Sequence, residues 1–395
     1  MISVAGMGHY SLRPHNSSKQ PHQQSIQEMH WRIPRCFLSV LIGAVAMCST
    51  VSAAKRGDEL VLSNPLTLRW QYTSDQTSNF TPATDTATVY VPLADGTLVA
   101  LDAGDGRLRW KAAAGGDFSA APAVDERAVY VATQYAGADK NTMRGTLRAL
   151  SKDTGITLWM RTLSAPLRGS LAVDGAGVFA GAASGNSYAF DKLTGRTLWV
   201  NQYADEFDGQ PTVAGGRVYF GTVGGWLLAL DQSNGNLLWR YRTRGAIRGP
   251  IAVSNNIVFF GSADGFVYAC RELSGKHVWK HRTGAAVEAV VALDGGVLAS
   301  SLDNYAYFLS RKKGAMLWRQ LLPGRIPARP VTASDGALFM PLSTDSAIVL
   351  SLKNGKPLNT LQLGEENNSS AAPIVTSDRV VLTTAHAVMA FAASR

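Results

Sequence analysis

The sequence is poor in the residues that metal and nucleophilic chemistry most often need. Its 395 residues hold three cysteines and seven histidines. Cys36 and Cys48 fall in an apolar N-terminal segment, which leaves Cys270 alone in the remainder. No intrachain disulfide is therefore open to that remainder, and no Cys/His spacing matches a zinc site. A lone Cys on a strand reads as a small buried apolar residue. Beyond residue 53 only His277, His281 and His386 remain. No Asp/Glu/Asn cluster is set for calcium ligation. Charge is also scarce, at 17% of residues with a formal net charge of +9, of which residues 1–53 supply +3. The excess reads as mild, spread over the chain and without a Lys/Arg block, which argues against a nucleic-acid partner.

What is present is apolar and rich in glycine. At 46% hydrophobic residues the composition is that of a folded chain, and 38 glycines suit a fold made of hairpins. Residues 1–28 are polar and without periodicity, so no fold is expected there. From Met29 the text changes. His30, Arg32 and Arg35 precede an apolar run from Cys36 to Val51, followed by small residues at Ala53 and Ala54. This order predicts an export signal over 29–54, with an uncleaved membrane anchor as the alternative. A start at Met29 gives such a signal its ordinary length. Lipidation at Cys48 is the weaker reading, because Met47 stands where a small residue is expected.

The stretch LLALDQSNGNLLW, Leu227 to Trp239, holds the organising unit. Alternating apolar residues flank a turn opened by Asp231 and closed by Gly235, and the second strand ends its core on a Trp. The Trp is expected to bury a large flat ring whose N–H still needs a partner. Gly and Trp recur four apart at Gly106/Trp110, Gly155/Trp159, Gly195/Trp199, Gly235/Trp239, Gly275/Trp279 and Gly314/Trp318. With Trp70 included, the Trp spacings are 40, 49, 40, 40, 40 and 39. A period near 40 with four strands per unit predicts a β-propeller. Eight strand cores are present, the last of which lacks a fourth strand, while LTLRW at 66–70 is a fourth strand without a hairpin. The expectation is an all-β, eight-bladed propeller over about 66–392, closed by Trp70's strand joining the C-terminal blade. Ser151, Arg271 and Asn359 depart from the motif and read as drift. About nine extra residues near Gln134–Arg144 form an insertion of open role.

The A-L-D-x-x-x-G-x-x-x-W repeat resembles that of the pyrroloquinoline-quinone (PQQ) dehydrogenase propellers, whose site carries calcium and an adjacent-cysteine disulfide. No Cys-Cys pair exists here, so the resemblance implies fold and no cofactor. The loops before the first strands resemble those of a second PQQ-like family, the outer-membrane assembly protein BamB. Aligned on the repeat, one position holds Asn79, Ser119, Arg168, Asp208, Arg248, Glu288, Ala328 (beside Arg329) and Ser370, so four consecutive blades alternate in sign. PLRGSLAV at 166–173 is similar to the Leu-Arg-Gly loop that contacts the barrel insertase BamA, and EFDGQPTV at 206–213 to that family's acidic loop. The resemblance implies a non-enzymatic periplasmic scaffold at the outer membrane. Its partner would be a BamA-like subunit, met as a monomer within a complex through Leu167, Arg168, Glu206, Asp208 and Arg248. A purely structural role would instead pair Arg168 with Asp208. A degenerate dehydrogenase or ligand-binding propeller is the alternative.

Overall fold

The computed structural model describes residues 60–138, 142–175 and 177–394. The expectations for residues 1–28 and for an export signal over 29–54 lie outside the described residues. Among the described residues thirty-two strands form eight four-stranded antiparallel blades. In chain order, blades 1 to 7 occupy residues 83–113, 117–163, 167–202, 212–242, 252–282, 287–321 and 331–362. Blade 8 takes three strands from residues 374–393 and its fourth from Leu66–Thr73. Trp70 pairs with Ala390 in that blade, so the two ends of the array meet in one sheet. Such closure covers the edge of the strand Ala387–Ala393, which an open array would leave free, as the sequence predicts. Blades 2 and 3 also touch through a parallel bridge, Ser170 to Ala121, between their first strands.

Burial follows strand position. Second strands such as Thr88–Pro92 and Gly177–Ala182 are buried at every residue, because neighbouring blades cover both faces. Fourth strands such as Leu237–Arg242 are exposed except for the Trp and the residue two beyond it, here Tyr241. The Trp is the lock between blades. Each of the seven indole N–H groups donates to a carbonyl in the next blade at 2.7–3.0 Å. Trp70 donates to Ala103, Trp110 to Lys152, Trp159 to Lys192 and Trp199 to Gln232. Trp239 donates to Glu272, Trp279 to Arg311 and Trp318 to Leu352. Each ring lies on the glycine of that blade's last turn, where a Cβ would come within 2.4–2.7 Å of it. The same glycines hold φ between +64° and +75°, so both sterics and backbone demand Gly.

Burial of the repeat rings is less even than the sequence implies. Trp70, Trp199, Trp239, Trp279 and Trp318 are buried, whereas Trp110 and Trp159 are only partly so. The fourth strand is the outermost of its blade, so each ring depends on the next blade's turn for cover. None of the seven lines the channel cavity described below, and all seven act between blades. Ser151 and Arg271 accept the same backbone bond from the turn glycine, at 2.8 Å, that Asp231 accepts, so their side chains are dispensable there. Cys270 is fully buried, and burial pushes its thiol up to about 12.

Asn359 is a correction. It is not drift, because the seventh interface has no turn for a Trp to cover: the third and fourth strands of blade 8 come from opposite ends of the chain. Asn359 instead donates to the carbonyl of Asn64 at 2.7 Å. Asp335, also in blade 7, accepts the N–H groups of Leu62 and Ser63 at 3.1 and 2.6 Å. Leu60 and Leu62 pack with Leu338, Val349 and Leu361 beneath these bonds.

The insertion lengthens one hairpin. Strands Ala128–Ala136 and Met143–Ser151 stay in register from Ala128/Ser151 to Ala136/Met143. Charge is a further correction. The positive excess is not spread: residues 237–325 carry thirteen lysines and arginines against five carboxylates, and the rest of 54–395 carries twenty-one against twenty-three. Blades 5 and 6, with the last strand of blade 4, thus hold all of it. A search for charge blocks hides this, because apart from Arg311–Lys313 the cations recur singly along the strands and loops.

A candidate docking site at the channel mouth

Loops from each fourth strand to the next blade share one face, the upper face, and end at the mouth of a central channel. Their sequence places a buried anchor before each charged residue. Leu167, Phe207, Ile247 and Val287 are at most 3% exposed, and the residues that follow are Arg168, Asp208, Arg248 and Glu288. The anchors fix the loops, and the next side chain is displayed. Phe207 packs edge-on to Phe220 and Tyr203, which turns Glu206 and Asp208 on either side of it to solvent. The loops touch as backbone. A Cβ on Gly169, at φ +70°, would lie 2.1 Å from the Gly209 carbonyl oxygen, which explains the glycine after Arg168.

Two expectations are corrected. Leu167 is fully buried and presents no surface to a partner; it serves as the anchor for Arg168. Arg168 does not pair with Asp208. Its guanidinium donates to the Gln134 side-chain carbonyl at 2.9 Å, so the lengthened hairpin of blade 2 buttresses this loop. Asp208 pairs with Arg248 on the other side, at 3.2 Å, with both side chains nearly half exposed. Among the described residues Glu206 has no ion-pair partner. Two neutral positions of the ring form a latch: Asn79 accepts the Ser370 N–H at 3.1 Å, which ties blade 8 to blade 1.

Glu288 is half-buried beside this pair. Burial pushes its carboxyl above the ordinary range, Arg248 pulls it down and Asp208 pushes it up. A carboxyl raised in the folded state favours folding only while protonated, so stability falls as pH rises through and above the unfolded value of about 4.5. Glu288→Gln is therefore expected to raise Tm at pH 7, with the gain closing as pH is lowered through that value. Equal melting of the two proteins across the range would show that Glu288 bears no such cost.

The channel itself is lined by the first strands of blades 1, 2, 3, 7 and 8 around a cavity of about 460 Å³. Arg329, next to buried Ala328, projects into it and also reaches the smaller cavity that Arg248 and Glu288 line at the mouth. Its guanidinium is open to channel water yet enclosed by protein, and desolvation pushes it below the ordinary range.

Comparison with known proteins agrees with this architecture. The profile of the family described as "Outer membrane protein assembly factor BamB" matches residues 58–145, 143–248 and 243–395. BamB of Shewanella oneidensis is 37% identical over 95 residues, a stretch that covers 23% of this chain and 22% of that protein. The crystal structure of BamB from Moraxella catarrhalis superposes with a TM-score of 0.71 at 17% identity, over 83% of this chain and 99% of that one. A quinohemoprotein alcohol dehydrogenase from Pseudomonas putida superposes with a TM-score of 0.68 at 13% identity, over 83% of this chain and 76% of that one. At these identities the two structures speak for the fold alone. The matched profile spans nearly the whole described array, and the chain belongs to the family of the outer membrane protein assembly factor BamB.

Proposed function

We propose that the protein is a non-enzymatic periplasmic scaffold for assembling β-barrel proteins into the outer membrane, and that it contacts a BamA-like subunit through Arg168, Glu206, Asp208 and Arg248. The observation that carries this reading is the acidic loop. Buried Phe207 holds Glu206 and Asp208 outward one blade after the Arg168 loop, and the Glu206 carboxylate pairs with no cation among the described residues. Family membership supports the same reading. In it the protein acts as a monomer within a complex, exported by its N-terminal segment.

The test separates docking from internal pairing. Exposed ion pairs contribute only about 0–1 kcal/mol to folding, whereas a charge lost from the centre of an interface can cost about 2 kcal/mol or more. Glu206→Arg is expected to leave Tm unchanged and to lose co-purification of the barrel-assembly subunit. Asp208→Arg alone is expected to lose binding; adding Arg248→Asp restores the internal pair but still inverts what a partner meets, so binding should stay lost. Binding restored by the double reversal would sink the assignment.

A ligand-binding propeller is a second reading, favoured by Arg329 alone in the channel cavity. The residues do not fit a quinone dehydrogenase centre. The sequence has no adjacent cysteines, and among the described residues no three His, Cys, Asp or Glu gather as metal ligands.

A further inference from the structure

The positive arc of blades 4 to 6 has a construction that the other blades lack. At the first residue of the third strand, on the upper face, these blades carry Trp226, Phe266 and Tyr305. The equivalent residues elsewhere, each paired with the residue three beyond the repeat Trp or its replacement Asn359, are Thr97, Thr146, Asn186, Ser346 and Ala387. Each aromatic ring has a cation over it from the neighbouring fourth strand. Arg240 and Arg242 lie 4.7 and 4.8 Å from the Trp226 centroid, Lys280 lies 4.8 Å from Phe266, and Arg319 lies 4.9 Å from Tyr305. Stacking on a ring holds the charged group in a set orientation without neutralising it.

Four of the carboxylates nearby are already committed. Asp264 accepts from the Tyr268 hydroxyl at 2.8 Å and the Arg244 N–H at 2.9 Å. Asp303 accepts from the Tyr307 hydroxyl at 2.6 Å and the Gly284 N–H at 2.7 Å. Asp205 lies 3.7 Å from Arg242, and Asp208 pairs with Arg248. This leaves Arg240, Arg244, Lys280, Arg282, Arg319 and Arg325 exposed on the outer wall and upper rim, with no carboxylate in ion-pair reach among the described residues.

We infer that this arc is a docking surface for an extended acidic polypeptide segment of a protein partner. Unpaired cations on three consecutive blades call for a complementary anion, and guanidinium forks match carboxylates in pairs. The wall is convex across three of eight blades. A flat bilayer meets such a wall along one line, and a stiff duplex cannot follow it, whereas an extended peptide can. Single-stranded nucleic acid needs open ring faces for its bases, and here each ring already carries a cation over its face. The surface adjoins the proposed BamA-like contact but does not depend on it.

The probe is a fluorescent peptide of alternating Glu and Ser, about twelve residues and about 40 Å when extended, read by anisotropy on the folded protein. It is expected to bind, with affinity that falls as salt rises. Reversing Arg244, Lys280 and Arg282 to Glu should weaken it at least about tenfold. Reversing the exposed Lys111, Arg127 and Arg196, an equal change in net charge, should leave it within about twofold. Changing the same three arc residues to Gln, with Tm followed, should give an intermediate loss in a folded protein. Glu206→Arg, which tests the adjoining BamA-like contact, should leave peptide affinity within about twofold. No binding, or equal loss from both reversals, overturns the proposal. So does arc-dependent binding of phosphatidylglycerol vesicles or oligothymidylate that the peptide does not displace.

Discussion

Deleting residues 60–73 is expected to abolish the monomeric, cooperatively folding protein. The deletion takes the fourth strand from blade 8 and exposes the edge of Ala387–Ala393, an apolar strand buried along almost its whole length. It also removes Trp70 from Gly106, Leu60 and Leu62 from the blade 7 core, and the backbone groups held by Asp335 and Asn359. An unpaired apolar edge templates association, so size-exclusion chromatography should show aggregates and melting should lose its single transition. Burial alone would raise the Asp335 carboxyl, but its bonds from Ser63 and Leu62 prevail and hold it below the ordinary value of 3.8. Its contribution to closure is therefore present above that pH and lost as pH falls through and below it. A soluble monomer that melts like the full chain would show that the leading strand closes nothing.

The fold was legible because the repeat writes its constraints in residue types with few substitutes. A turn glycine under a Trp ring tolerates no side chain, so Gly235 and Trp199 mark one interface, and six more Gly–Trp contacts mark the others. How deeply each ring is covered was not legible, since Trp110 and Trp159 carry the same motif as Trp279 and Trp318 yet are less buried. The orphan strand at 66–70 and the missing fourth strand at the C-terminus together imply closure by simple counting. The site was legible in part. Alternation of buried and displayed residues puts Glu206 and Asp208 outward around Phe207, and that pattern is local.

Partner choice was not local. Asp208 lies between loops bearing Arg168 and Arg248, and either pairing satisfies the repeat arithmetic. What decides is Gln134, more than thirty residues away in a lengthened hairpin whose reach no motif announces. Leu167 was misread because a resemblance between motifs transfers residue types without their burial. The cationic arc was missed for a related reason. Its members stand 40 residues apart in sequence and adjacent in space, so a search for runs of charge passes over them.

Trp239→Ala and Asn359→Trp are expected to destabilise for opposite reasons, and together they test what the repeat Trp is for. The Trp239 ring is 8% exposed, lies on Gly275 and donates to the Glu272 carbonyl at 2.7 Å. Truncation leaves a void between blades 4 and 5 and an unpaired carbonyl, at a cost of about 3–5 kcal/mol. By sequence alone, restoring Trp at position 359 looks neutral or mildly stabilising, as the repair of a lost motif. The structure reverses that expectation. No turn glycine lies under position 359, and a larger ring would meet the Leu62–Asn64 backbone that Asn359 now holds. Overpacking with loss of those hydrogen bonds should cost about 1–3 kcal/mol. Denaturant midpoints for both variants and the parent give the comparison, with unchanged slopes confirming that the same transition is measured. If Asn359→Trp melts at or above the parent, the seventh interface can accept the common lock, and Asn359 has no special part in closing the ring.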